Sequence, residues 1–211
     1  MRDLQSPGLP HPSSPKSWRP QRDARIDFGK RHTFTGEQFA RRFFPGGEVE
    51  TRKKKASRFL AKFRHLIPIV GGVQLEDTGR PNTVYGRRCK PAEVKHEVLV
   101  AEFEILTGIR LNRGKKRGRA EPDGTGEKDG QAFSLEVDCS GHMTKRQMQA
   151  KWERYGGTRG FVLVVATDEA RMRRLMEWAE DAKDFALFST FDRLRNVEEP
   201  WADRQGKTLK I

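Results

Sequence analysis

The run FVLVVA at residues 161–166 constrains this chain most. Six apolar residues in succession leave no polar face to offer water, so as a strand they must be covered on both sides. A strand of that kind sits in a sheet between helical layers, which points to a mixed α/β domain. The same run is far shorter than the ~20 residues a membrane helix needs, so no membrane partner is expected. A chain of 211 residues has room for one medium domain or two small ones.

The elements around the run extend that reading. Pro91 starts and Gly108 stops a helix over about 92–106, whose Val94, Val98, Ala101 and Ile105 recur at helical spacing. LNRGKKRGR at 111–119 reads as an exposed basic loop, and EPDGTGEKDGQAFSLEVD at 121–138 as a hairpin with its turn in GTGEKDG. HMTKRQMQAKWERY carries Met148, Trp152 and Tyr155 on one stripe, with Lys151 at i+3 from Met148. Thr167 or Asp168 caps a helix with a Met172, Leu175, Met176 and Ala179 stripe, and FALFST at 185–190 is a further strand before a short helix. The domain expected from these signals spans 91–197, with 198–211 as a tail.

The N-terminal third has another texture. Residues 1–27 are rich in Pro, Ser and basic residues and are expected to form a mobile basic arm. Thr35 and Gln38 have capping-box spacing, and Phe34 and Phe39 match a hydrophobic staple, so a helix is expected over 36–44. After PGG, a second helix places Ala56, Phe59, Leu60 and Phe63 on one stripe. Its other faces carry Arg52, Lys53, Lys54, Lys55, Arg58, Lys62 and Arg64. Short strands at 67–75 and near TVYGRR complete the order helix, turn, basic helix, hairpin, which is that of a winged helix-turn-helix over 28–90. A preceding helix would have to come from RDARIDFGKRH, where Gly29 opposes it. The alternative is a solvated amphipathic helix whose lysines keep the chain in solution.

Charge agrees with a polyanionic partner. The 42 Lys and Arg outnumber 29 Asp and Glu, for a net charge of +13, which suits double-stranded DNA better than a small neutral ligand. An RNA-binding protein would carry the same charge, but no aromatic-rich ribonucleoprotein motif is present. Cys89 and Cys139 lie far apart and outside any CxxC pattern, which fits a reducing cytoplasm and no disulfide framework. His96, His142 and Cys139 fit no zinc spacing, and no phosphate-cradling GxxxxGK[ST] run occurs.

The acidic residues of the hairpin carry the chemistry. Strand alternation puts Phe133, Leu135 and Val137 on one face and Ser134, Glu136 and Asp138 on the other. Asp123, at the end of the preceding strand, is expected to come near the same side. Three converging carboxylates repel unless a cation sits among them, and Mg²⁺ takes one or two carboxylates plus water and phosphate oxygens. Lys151 is placed either to snorkel or to reach those acids.

PDG at 122–124, LEVD at 135–138, QMQAKWERY at 147–155 and the strand FVLVVAT resemble the replication-relaxation family of plasmid and mobile-element proteins, over residues 33–190. The resemblance implies an N-terminal winged helix joined to a restriction-endonuclease-like mixed-sheet domain of the PD-(D/E)xK type. It implies that Asp123 and Glu136 hold Mg²⁺, that Lys151 replaces the lysine expected two residues after Glu136, and that Glu102, ahead of Glu97, completes the site from the first helix. Asp138 stands where that lysine is expected. Two functions follow: metal-dependent cleavage of DNA, or a non-enzymatic regulator or replication accessory factor with a degenerate nuclease fold. A homodimer or another replication or mobilisation protein is the expected protein partner.

Overall fold

The computed structural model describes residues 15–75, 81–114, 118–139, 143–156, 160–179, 185–203 and 205–209. The chain divides into two compact units, Met1–Gly72 with Asn82–Cys89, and Val73–Pro81 with Lys90–Ile211. Seven α-helices and two sheets make up the described residues, one sheet three-stranded and the other six-stranded and mixed.

The first unit runs α1 (Pro15–Arg31), β1 (Thr33–Thr35), α2 (Gly36–Phe43), α3 (Val49–Lys62), β2 (Ile69–Val73) and β3 (Asn82–Gly86). Residues 15–27, expected as part of a mobile arm, are helical. Composition loses to packing there. Phe28 is 1% exposed and its ring lies 5.3 Å from that of Phe34 and 5.4 Å from that of Phe43. The Arg25 guanidinium lies 4.4 Å from the Phe44 ring centroid, and Asp27 and Arg31 pair at 2.9 Å one turn apart. Gly29 helps rather than hinders, because a Cβ there would lie 2.7 Å from the Ile67 side chain. The α2 start is as expected: Thr35 and Gln38 form both halves of a capping box, and Phe34 stacks on Phe39 at 5.3 Å. Ala56, Phe59 and Leu60 of α3 are buried. The small sheet has the order β1-β3-β2, with β1 and β3 antiparallel.

The second unit opens with a 3-10 turn (Pro91–Glu93) and α4 (Val94–Thr107), which ends at Gly108 in the left-handed conformation. Then come β4 (Gly124–Lys128), β5 (Gln131–Asp138), α5 (Lys145–Tyr155), β6 (Phe161–Ala166), α6 (Glu169–Trp178), β7 (Ala186–Thr190), α7 (Phe191–Asn196), β8 (Trp201–Ala202) and β9 (Thr208–Leu209). The sheet order is β4-β5-β6-β7-β8-β9. β5, β6 and β7 are parallel neighbours, linked through α5 and α6, and the remaining pairs are antiparallel.

β6 is covered on both faces, as its sequence demands. Val162, Val164 and Ala166 join Met148, Trp152, Tyr155, Met172 and Leu175 in one core. Leu163 and Val165 join Val100, Phe103, Leu135 and Phe191 in the other. Two expectations are corrected. The hairpin turn is not GTGEKDG: residues 124–128 are strand β4, and the reversal is made by Asp129 and Gly130 alone, at φ 52° and 76°. Residues 198–211 are not simply a tail, because Trp201, 2% exposed, anchors β8 and with it β9 on the sheet.

Candidate functional site

The pleat of β5 places Glu136 and Asp138 on the face covered by α5 and α6, each 5% exposed. Two buried carboxylates side by side need cations, and each has one. Lys151 of α5 forms an ion pair with Glu136 Oε2, and the Tyr155 hydroxyl, one turn on, donates to Oε1. Met148, Trp152 and Tyr155 bury their stripe and so fix the face from which Lys151 reaches inward, its side chain 28% exposed. Asp138 accepts from Arg171 of α6 at 2.9 Å and 2.5 Å, both on Oδ2. Its Oδ1 is buried without a hydrogen-bond partner among the described residues. The Trp152 Nε1 is in the same condition, and both residues line a cavity of about 10 Å³ shared with Glu136, Lys151 and Tyr155. That is room for about one water.

Asp123 continues the β4–β5 ladder with its side chain. Its N–H donates to the Leu135 carbonyl at 2.9 Å, and its Oδ2 accepts from Val137 N–H at 2.7 Å. His96 Nε2 of α4 lies 3.0 Å from the same oxygen. His96 Nδ1 stands 4.0 Å from Glu97, which Arg113 holds at 2.6 Å. Acids and basic groups thus alternate through the cluster: Glu97 and Asp123 about His96, then Glu136 with Lys151, then Asp138 with Arg171.

Titration follows from that alternation. Burial pushes the Glu136 carboxyl up to about 7, Asp123's charge adds to the rise, and Lys151 only partly opposes it. At Asp123 burial also acts upward, but the hydrogen bond and charge of His96, then Lys151 and the Val137 N–H, outweigh it and hold the carboxyl below its usual range. Burial acts to lower His96, yet its hydrogen bond to Asp123 and the charges of Asp123 and Glu97 raise it above its ordinary value. The Cys139 thiol is pushed up by burial and by the charges of Asp138 and Asp123.

Of the expected acidic site, Glu136 and Lys151 are in contact, Asp123 is near enough that its charge raises Glu136, and Asp138 faces the same cavity as Glu136. Glu102 is elsewhere: 1% exposed, it pairs with Arg195 of α7 at 3.0 Å. Glu97, ranked behind it, is the α4 acid beside His96. His142 lies outside the described residues. Sequence reasoning missed Arg171, Tyr155 as a donor and His96 as the partner of Asp123. Arg171 carried a signal, since a buried Asp138 requires a buried cation.

Mg²⁺ between Asp123 and Glu136 does not fit this arrangement. Both Glu136 oxygens and one Asp123 oxygen already accept from Tyr155, Lys151, His96 and Val137. No group of three or more His, Cys, Asp and Glu side chains among the described residues is arranged to hold a metal. No described helix is long and apolar enough to cross a membrane.

The expected basic helix is in place on the first unit. Lys54, Lys55, Arg58 and Lys62 are exposed and Arg52 and Lys53 half-buried, while the opposite stripe of α3 is buried. Lys53 lies 3.8 Å from Glu50. The first unit holds eighteen Lys and Arg against six Asp and Glu, and the second twenty-four against twenty-three, so +12 of the net +13 belongs to the first. Compared with known proteins, the chain matches no family model, no curated protein and no solved structure.

Proposed function

We propose that this chain is a duplex-DNA-binding protein whose first unit acts as a winged helix and whose second unit is a restriction-endonuclease-like domain that does not cleave. The partition of charge carries the reading: nearly the whole net charge lies on the unit that contains α3, whose buried stripe leaves its basic residues to solvent. The order helix, strand, helix, helix, strand, strand supports it, since in a winged helix the third helix enters the major groove and the hairpin meets the backbone. Phosphate contacts from Arg52, Lys53, Lys54, Lys55, Arg58 and Lys62 would supply most of the affinity. The motifs PDG and LEVD suggest the setting of replication-relaxation-like proteins of plasmids and mobile elements.

The regulator or accessory reading of the second unit is favoured over Mg²⁺-dependent cleavage by one observation. The acids that would hold the metal are bound by the chain's own donors, and Asp138 occupies the lysine position locked to Arg171. Incubation of supercoiled plasmid with Mg²⁺ or Mn²⁺ tests this, the expected result being no nicking above an Asp123→Ala control. Competition of duplex DNA against structured and single-stranded RNA tests the partner. Duplex should win, and preference for RNA would overturn the proposal.

A further inference from the structure

We propose that Arg25 is a phosphate-binding residue of the first unit: its guanidinium, seated on the rings of Phe44 and Phe59, takes a backbone phosphate of duplex DNA beside α3.

Arg25 lies on α1, ahead of residues 33–190 on which the family resemblance rests. Its guanidinium carbon stands 4.4 Å from the Phe44 ring centroid and 5.4 Å from that of Phe59. A planar cation held over aromatic faces keeps its fork of donors in a fixed direction. Nη2 is engaged, donating to the Phe43 carbonyl at 3.2 Å. Nε is buried with no hydrogen-bond partner among the described residues.

What Arg25 lacks is an anion. The two acids nearest it on α1, Asp23 and Asp27, pair with Arg22 at 2.8 Å and with Arg31 at 2.9 Å. No carboxylate among the described residues pairs with Arg25 itself. Burial pushes its guanidinium below the ordinary arginine range. The buried arginines of the second unit differ, since Arg171 holds Asp138 and Arg113 holds Glu97. Packing on Phe44 and Phe59 accounts for an apolar stem at this place, and the uncompensated charge calls for an anion from outside the chain.

The same rings seat a second cation. Lys62 Nζ of α3 lies 5.7 Å from the Phe63 ring centroid, and that ring lies 4.5 Å from the Phe59 ring. Like charges from two helices on one pair of rings repel, and an anion beside them relieves the repulsion. A phosphate oxygen is such an anion and accepts readily from a guanidinium fork. A free phosphate would meet one or two of these cations, whereas a strand of the duplex engages Arg25 together with the exposed Lys55, Arg58 and Lys62.

The inference rests on the duplex-binding reading and deepens it. The experiment is fluorescence anisotropy of a labelled duplex against salt concentration, with the full chain. Arg25→Met keeps an apolar stem on Phe44 and removes the charge. It should weaken binding about tenfold, as loss of one charge-assisted hydrogen bond does, and lower the salt slope by about one. Arg25→Lys should restore the slope without the full affinity, because an ammonium lacks the planar fork. In wild type carrying isotope-labelled arginine, the Arg25 Nε–H resonance should shift on addition of duplex and stay in place with inorganic phosphate.

A folded Arg25→Met chain with the affinity and slope of wild type would overturn the inference, whatever its melting temperature, and leave Arg25 a packing residue. If neither variant folds, the wild-type resonance decides: a signal unmoved by duplex, or moved by inorganic phosphate alone, would overturn it equally. Failure of wild type to bind duplex would instead remove the reading beneath it, so the two failures are distinct.

Discussion

Under α5, Glu136 is buried with its two oxygens shared between an ammonium and a phenol, and it is the burial, outweighing both donors, that makes the carboxyl a pH-sensitive group of the second unit. Its carboxyl is raised from 4.5 to about 7 in the folded chain, so the folded state binds its proton more tightly than the unfolded state. The stability this group contributes is complete below about 4.5 and is lost as pH rises through about 7. His96, also raised, acts in the same direction near and above its ordinary range. Asp123, lowered, acts in the opposite direction, and its contribution fails only as pH drops below the usual carboxylate range. Urea unfolding between pH 4.5 and 8 should therefore show stability declining toward pH 8, by on the order of 3 kcal/mol from Glu136. Glu136→Gln should flatten that slope; an unchanged slope in the variant would place the titrating group elsewhere. Arg171→Met should cost about 3–5 kcal/mol by stranding Asp138, and Arg171→Met combined with Asp138→Asn should recover much of the loss in the same measurement. Three of these residues were legible beforehand: the period of two put Glu136 and Asp138 on one face, and the spacing from Met148 put Lys151 on a stripe from which it would either snorkel or reach them. Arg171 was hidden within an apolar helix stripe. The Glu102–Arg195 pair joins residues 93 apart in sequence, and no local pattern announces such a pairing.

At the scale of elements, starts and stops were read well where side chains satisfy backbone groups locally. Thr35 with Gln38 and Asp168 with Arg171 N–H cap helices where the sequence placed them. Thr35→Ala should cost the first unit about 1 kcal/mol, with Thr35→Ser retaining most of it, as measured by thermal unfolding followed by circular dichroism. Equal stability of the two variants would show that the hydroxyl is not the source. Misreadings arose where tertiary contacts decide. Residues 15–27 look like a tail by composition, yet Phe28 and Arg25 tie α1 to the phenylalanines of α2 and α3. The glycines of GTGEK weaken a strand in isolation, but pairing with β5 holds them in it and leaves Asp129 and Gly130 to turn. Asp129→Pro should therefore disrupt the hairpin, since proline cannot adopt the φ of 52° found there. Amide exchange of β4 and β5 should rise in that variant, and unchanged protection would contradict the turn assignment.

For the molecule as a whole, the two units differ in charge in a way the bulk composition blurs. A net charge of +13 spread evenly would say little about where a polyanion binds, whereas +12 on one unit puts nearly all of it on the unit that contains α3. In the near-neutral second unit several buried acids are matched by cations, Glu136 by Lys151, Asp138 by Arg171 and Glu102 by Arg195. The proposed grip of α3 on duplex DNA is tested most directly by fluorescence anisotropy of a labelled duplex against salt concentration. Wild type should lose affinity steeply as salt rises, and a Lys54→Ser, Lys55→Ser, Arg58→Ser variant should bind more weakly. Its salt slope should be reduced by about one for each phosphate contact removed. A triple variant with the affinity and slope of wild type would contradict the account.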